Sequence, residues 1–532
     1  MKKAIYILLL LSFLGFTNFF GQSQFQKKYE SSNGSRAYSI IQTNDGGYVF
    51  TGSYDVAGFF SAEFYVIKLD AFGDTIWANT YGQKVDTSIS ANRDGTGNVA
   101  HNIIQTFDLG YLIVGEAHAT DTGQPGIFSL KLNQNGDTAW SKIYGGTLSD
   151  YAYKVIQLED SGYIISGYTE SYGLGIRNMY LIRIDQFGDT LWGKSYGGNS
   201  IDGSADIVQT YDGGFVIVGN TFSFGTGGSD VYVIKIDKDG MIKWEYAYGG
   251  SLNDFGLSIC QSVDSGFLIS GSTESFGAGQ RDFYVLKIDS IGNLNWSKVF
   301  GGTGNETGKS IIELANKDVV VFGNTGSFGR GSDDFYFIKL NSLGDTIMTR
   351  NYGGLSIDIG EEIHQTSDKG FIMAGYTNSF NTWSFDAYIV KVDSSGNSGC
   401  HQSNTLTQVL TPTSIRTTTN SVITNGIQIN DLGVKIGKTL SKAINTCNIN
   451  STEEIDIETD IVVFPNPTSG RIKVNFKSEK YSETSFAKLF DINGKLIQSQ
   501  TISIENNEID ISNFRNGFYL LTIETDLGTV TK

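Results

Sequence analysis

Apolar and polar positions along this chain fall into short runs, and the runs return in the same order. Between Gly203 and Tyr248 four of them follow one another: GSADIVQT, GFVIVGN, DVYVIKID and MIKWEYAY. They are rich in β-branched and aromatic residues and alternate only weakly, the pattern of strands covered on both faces. The short polar stretches between the first two runs and between the last two, YDG and DKDG, mark hairpins. One unit therefore reads as a four-stranded antiparallel sheet.

The unit occurs seven times. DGGYVFTG at Asp45–Gly52 returns as DLGYLIVG, DSGYIISG, DGGFVIVG, DSGFLISG, NKDVVVFG and DKGFIMAG. The position of Gly47 recurs at Gly110, Gly162, Gly214, Gly266, Asp318 and Gly370, with a first step of 63 residues and five of 52. The additional 11 residues lie around DTSISANRDGTG. Seven four-stranded units repeated radially predict an all-β fold, a seven-bladed β-propeller. A second glycine follows each second strand's apolar run, at Gly52, Gly115, Gly167, Gly219, Gly271, Gly323 and Gly375. Glycine inside a strand implies a bulge or a close backbone approach. Trp77, Trp140, Trp192, Trp244, Trp296 and Met348 open the fourth strands and are expected to wedge between blades.

The seventh unit lacks a fourth strand, because none follows Cys400. FQKKYESSNG, starting at Phe25, aligns without a gap to WSKIYGGTLS from Trp140, and both start 22 residues before the recurring glycine. The N-terminal strand is thus expected to complete the last blade and close the ring, which removes exposed sheet edges.

The ends of the chain read differently. MKK, then the apolar AIYILLLLSFLGFTNFF, then GQSQ have the form of a signal peptide, residues 1–23, cleaved before Gln24. No later run approaches the ~18 apolar residues of a membrane helix, so no membrane span is expected after cleavage. The propeller is placed at 24–400. Residues 401–460 are rich in Thr, Ser and Asn, and form either a few strands against the propeller or an extended linker. Export permits a disulfide, and Cys400 and Cys447 flank this segment and are candidates to pair. Cys260 lies in an apolar strand and reads as a buried thiol.

Two of the four prolines sit in FPNPTSG, Phe464–Gly470. Proline fixes φ and removes a donor, so this stretch marks entry into a new element. Beyond it RIKVNF, SFAKLFDI, KLIQSQTI and GFYLLTIE read as the strands of a small β-sandwich, with DINGK as a hairpin turn. VVFPNPTSGRIKV, LFDINGKLI and IDISNFRNGFYLLTI together resemble the C-terminal sorting domain, type A, of the type IX secretion system of Bacteroidota. The resemblance covers 461–532 and rests on Phe464, Pro465, Asn466, Pro467, Gly470, Asp491, Gly494 and Gly517. It implies a signal rather than a catalyst. It also implies type IX secretion machinery as partner, passage through the periplasm, and a cargo anchored at the outer cell surface or secreted.

A formal net charge of −17 repels phosphate backbones, so nucleic acid is not an expected partner. Candidate chemistry falls on the face with the longer connections. YGGxxxD places Asp150, Asp202, Asp254, Glu306 and Asp358 there, and SFGxG places Tyr172, Phe224, Phe276, Phe328 and Phe380. Such a ring suits a cation or a polyhydroxylated ligand. Equally, each Asp bonds its own loop and each aromatic packs between blades. NRDGTGN offers oxygens at Asn92, Asp94 and Thr96 without a distal glutamate at calcium-loop spacing, a weak calcium site. KLDAFGDTIW and RIDQFGDTLW are similar to the tryptophan-docking phrase of quinoprotein propellers, which would imply pyrroloquinoline quinone and calcium, but the adjacent-cysteine pair of those enzymes is absent. His101, His118, His364 and His401 have no metal-ligand spacing, and no G-x-S-x-G or P-loop occurs. The expectation is an exported binding module for a surface glycan or protein, with no cofactor. The alternatives are a carbohydrate-processing or quinone-dependent enzyme, or a purely structural surface component.

Overall fold

The computed structural model describes residues 24–446, apart from 32–33, 56–61, 83–97, 119–123, 381–383 and scattered positions between 406 and 441. Within 461–531 it describes the strands and a few flanking residues. The chain divides into two compact units, Met1–Cys447 and Asn448–Lys532. Among the described residues there is no helix.

The first unit is a seven-bladed propeller, and each blade is one repeat. The weakly alternating third runs are covered on both faces. Asn178–Ile184, Asp230–Ile236, Asp282–Ile288 and Asp386–Val392 are buried at every position. A cation near the end of each third strand reaches back to a carboxylate of the first turn. Lys68–Asp45, Lys131–Asp108, Lys287–Asp264 and Lys391–Asp368 are examples, at 2.7–2.9 Å. The tryptophans wedge between blades as expected. Gly136 and Gly188 lie where any Cβ would come within 3.0–3.1 Å of Trp77 and Trp140 of the preceding blade.

The N-terminal strand closes the ring. Phe25–Glu30 pairs antiparallel with Asp386–Val392, with Phe25 opposite Lys391 and Tyr29 opposite Ala387. Closure reuses the joint found elsewhere. Tyr144 donates its hydroxyl to the Gly188 carbonyl of the next blade at 2.8 Å, and Tyr29 donates to Gly73 of the first blade at 2.7 Å.

The segment expected as a linker over 401–460 is a belt over much of its length. Gln402–Asn404, Gln408–Leu410, Ile415–Thr418, Thr424–Asn425, Gln428–Asp431, Lys435–Lys438 and Lys442–Asn445 each add a fifth strand to one blade. They visit blades 6, 5, 4, 3, 2, 1 and 7 in that order, pairing with the outer strand of each. The outer strands would otherwise leave rows of unpaired N–H and C=O groups around the whole circumference. The hydroxyl-rich composition fits this role. Ser195 and Thr424 share a hydrogen bond at 2.6 Å, and Ser403 donates to the Asn351 side chain at 2.5 Å. The belt's two ends meet on the seventh blade, where His401 Nε2 lies 2.7 Å from the Thr446 carbonyl and Thr446 N–H donates to Gln26 at 2.9 Å.

The second unit has two antiparallel sheets. Ile461–Phe464, Arg471–Phe476 and Glu508–Asp510 form one; Leu496–Ile502, Ser485–Asp491, Tyr519–Thr525 and Gly528–Thr531 form the other. Val474 and Ile509 of the first sheet and Ala487, Leu489, Ile502 and Leu521 of the second are buried.

Candidate functional site: the channel mouth

The carboxylates of YGGxxxD lie beneath the long-loop face, not on it. Asp150, Asp202, Asp254, Glu306 and Asp358 are fully buried. Each accepts the backbone N–H four residues before it, from Gly146, Gly198, Gly250, Gly302 and Gly354, at 2.7–3.0 Å. Four of them also accept a serine hydroxyl from the SFGxG connection, Asp202 from Ser223 and Asp254 from Ser275 at 2.7 Å among them. They do not converge on a common point, since each closes its own loop. The aromatics of that connection pack on a third-strand tyrosine of their blade. Tyr172 meets Tyr180 at 5.7 Å, Phe224 meets Tyr232 at 5.6 Å, Phe276 meets Tyr284 at 6.0 Å and Phe328 meets Tyr336 at 5.7 Å.

What faces the channel is set by the recurring glycines. A Cβ at Gly52 would stand 1.7 Å from the Arg36 carbonyl oxygen, and one at Gly167 1.8 Å from that of Tyr151. At all seven such joints the innermost strand carries a bulge, which leaves one residue without a partner. A bulge re-aims the side chain it frees. The seven residues are Tyr38, His101, Tyr153, Ala205, Leu257, Lys309 and Glu361, and all are half-buried. They are of six residue types in seven blades.

Their rings and ion pairs are coupled. Tyr38 lies 5.6 Å from His101, and His101 4.9 Å from Tyr153. His101 Nε2 is 2.6 Å from Glu116, and Lys309 is 3.1 Å from Glu361. Burial pushes the Tyr153 phenol up to about 12.

The next residue of each innermost strand forms a floor. Ser39, Asn102, Asp206, Ser258, Ser310 and Glu362 each accept a backbone N–H from the following blade, at 3.0–3.4 Å. Lys154 holds the seventh place and has no acceptor. The joint it leaves is closed differently, by Ile207 N–H donating to Asp206 of its own blade at 2.8 Å. The Lys154 ammonium instead donates to Glu362 of the seventh blade at 2.9 Å. Burial alone would lower its pKa, but Glu362 and Asp206 outweigh that and raise it. Burial would raise Glu362, but Lys154 and His364 hold it well below the usual carboxylate range.

At the other end of the channel, a cavity of about 600 Å³ is lined by Ile41, Ile104, Phe107 and His364 with the glutamines Gln42, Gln105 and Gln365. Those glutamines brace neighbouring turns. Gln105 accepts Asn44 N–H at 2.9 Å and Gln42 accepts Ser367 N–H at 2.8 Å.

Cys400 is disulfide-bonded and Cys260 is a free thiol that burial pushes up to about 12. Cys447, residues 1–23, the Asn92–Asp94–Thr96 stretch, and Pro465, Asn466, Pro467, Gly470, Gly494 and Gly517 lie outside the described residues. Phe464 ends a strand opposite Lys473, and Asp491 pairs with Tyr519. Among the described residues no group of three or more His, Cys, Asp or Glu is arranged to hold a metal. Among the described residues no helix is long and apolar enough to cross a membrane.

The sequence contained a signal for the bulge ring that the motif reading missed. The freed residue stands fourteen positions before the glycine that follows each second strand's apolar run, and that column spans both charges and sizes from alanine to tyrosine.

No curated protein matches this sequence. Among solved structures, Sqt1 from Chaetomium thermophilum is 8% identical, with a TM-score of 0.37 over 66% of this chain and 82% of that one. PorZ of Porphyromonas gingivalis, described as an essential bacterial surface component of the type-IX secretion system, is 10% identical. Its TM-score is 0.36, over 94% of this chain and 69% of that one. Residues 462–532 match the family of secretion system C-terminal sorting domains. The chain is therefore a seven-bladed propeller that carries a type IX secretion sorting domain at its C-terminal end.

Proposed function

We propose that this protein is a non-enzymatic binding module, exported through the periplasm and either displayed on the outer surface or released. Its ligand is taken at the long-loop mouth of the channel. The observation that carries the reading is the bulge ring. Loops, braces and wedges repeat around the ring, while the seven residues freed by the bulges of the innermost strands are of six types. A structural disc has no use for six residue types there. The reading calls for no cofactor, and the quinoprotein-like phrase falls on blade turns and inter-blade tryptophans. Cys447 is taken as the disulfide partner of Cys400, being the one cysteine left once Cys260 is free. The export half is tested in a host with the secretion system. Deleting residues 462–532 is expected to leave a folded propeller retained in the periplasm, read by fractionation and by surface protease accessibility. Normal surface appearance of the truncated chain would overturn it.

A further inference from the structure

The bulge ring is only the inner edge of a larger aromatic surface. Seven rings follow one another around blades 7, 1, 2 and 3: Phe385, Tyr376, Tyr38, His101, Tyr153, Tyr168 and Tyr151. Successive centroids are 5.2, 6.2, 5.6, 4.9, 5.9 and 4.7 Å apart. All but Tyr168 are half-buried, so they present part of their surface to the mouth. A guanidinium sits over each end of the arc, Arg36 over Tyr376 at 5.8 Å and Arg177 over Tyr168 at 3.8 Å. The gap in the arc is at blade 4, which contributes Gly203 and Ala205 at the positions that hold Tyr151 and Tyr153 in blade 3. Blade 5 contributes Phe255 and Leu257 at those positions, with Arg281 over the Phe255 ring at 5.3 Å. The result is a crescent of aromatic faces whose open side is blade 4, above the polar floor of Lys154 and Glu362.

We infer that this crescent is the seat of a neutral saccharide chain. The inference rests on the binding reading above and specifies its ligand. Pyranose rings offer apolar C–H faces for stacking and hydroxyls at their edges. Six of the seven rings are tyrosine or histidine on the innermost strands or beside them, which pair a flat face with a polar tip. Carboxylates lie within the same arc, Glu116 on His101 at 2.6 Å and Glu170 on Arg177 at 2.9 Å. A polyanionic ligand fits poorly. The chain carries −17, and Arg177 and Arg36 are engaged by Glu170 and Asp55. A lipid fits poorly against a wall edged with charge.

The experiment uses the full mature chain with immobilised neutral polysaccharides (laminarin, mannan, xylan and galactan), acidic ones (polygalacturonate and hyaluronate), and a random peptide library. Three variants accompany it. Tyr153→Ala removes the centre of the crescent, and Ala205→Trp fills the open side; Tyr153→Phe keeps the ring and loses the hydroxyl. At least one neutral polysaccharide should be retained, with affinity reduced about tenfold or more by each of the first two variants at unchanged melting temperature. Tyr153→Phe should keep most of the affinity. Retention of acidic polymers or peptides alone would overturn the saccharide inference and leave the binding reading standing. Retention of neutral polysaccharide unaffected by both variants would place the site elsewhere and overturn the inference. Retention of no probe would overturn both readings.

Discussion

Asp230, Asp282, Asp334 and Asp386 open the third strands of blades 4 to 7, all but lost to solvent. Burial pushes them up to about 6, 6, 7 and 6 respectively. For the first three, the brace carboxylate of the next blade adds to the rise: Asp254, Glu306 and Asp358. A carboxyl raised above its unfolded value near 3.9 stabilises the fold fully below about pH 4 and loses that contribution as pH rises through its folded pKa. Asp212 acts the other way. The Lys235 ammonium and the Thr210 hydroxyl hold it at about 2, so its contribution is lost only in more acidic solution. The melting temperature is therefore expected to fall between about pH 4 and about pH 7. Asp230→Asn should flatten the slope, since blade 3 already carries Asn178 at this place. Thermal melts across that range check it, and a flat or rising profile would contradict it. The sequence showed the YGGxxxD carboxylates as periodic, and periodicity locates a loop without showing which way a side chain faces. Hence Asp150, Asp202, Asp254, Glu306 and Asp358 read as a possible rim, although they point inward to cap their own loops. The glycines were legible for the opposite reason. A Gly inside an apolar run has few explanations, and the bulge was among them.

Among the elements, the N-terminal strand was legible and the belt was not. Phe25–Glu30 shares the aromatic, lysine and tyrosine spacing of the other outer strands, so a gapless match identified it. The belt strands are only two to four residues long and visit a new blade about every seven residues, too short for any alternation to register. Their composition answers to the edge they cover rather than to a buried face. The belt has a mechanical consequence. It circles the propeller, returns to its start beside Gln26, and is fastened at Cys400 by a disulfide. With Cys447 as the other half, the fastening closes a loop around every outer strand and holds the N-terminal strand between Asp386–Val392 and Lys442–Asn445. Closing a loop of this length contributes about 2–4 kcal/mol. Cys400→Ser is expected to lower the melting temperature and to open residues 402–446 to limited proteolysis, and reductant should do the same to the parent. Identical melting and cleavage patterns would show that strand pairing alone secures the belt.

At the scale of the whole molecule, a sevenfold frame is combined with an uneven mouth and a separate address label. The label was legible because its motifs are short, ordered and local. The mouth was not, because it assembles residues 38 to 385 from four blades, and only ring closure brings the first and seventh together. Lys154 sums up the difference. It breaks the chain of side-chain-to-backbone bonds around the floor, yet its partner Glu362 stands 208 positions away. The binding role depends on where a ligand touches the propeller. Hydroxyl-radical footprinting of the full chain, with and without saturating neutral polysaccharide from the panel, measures this side chain by side chain. Labelling is predicted to drop at Tyr38, His101, Tyr151 and Tyr153, and to stay unchanged at Tyr211 and Phe187, which are exposed on the hairpin turns at the other end of the blades. Protection at Tyr211 and Phe187 with none at Tyr38, His101, Tyr151 and Tyr153, or equal protection around all seven blades, would contradict it.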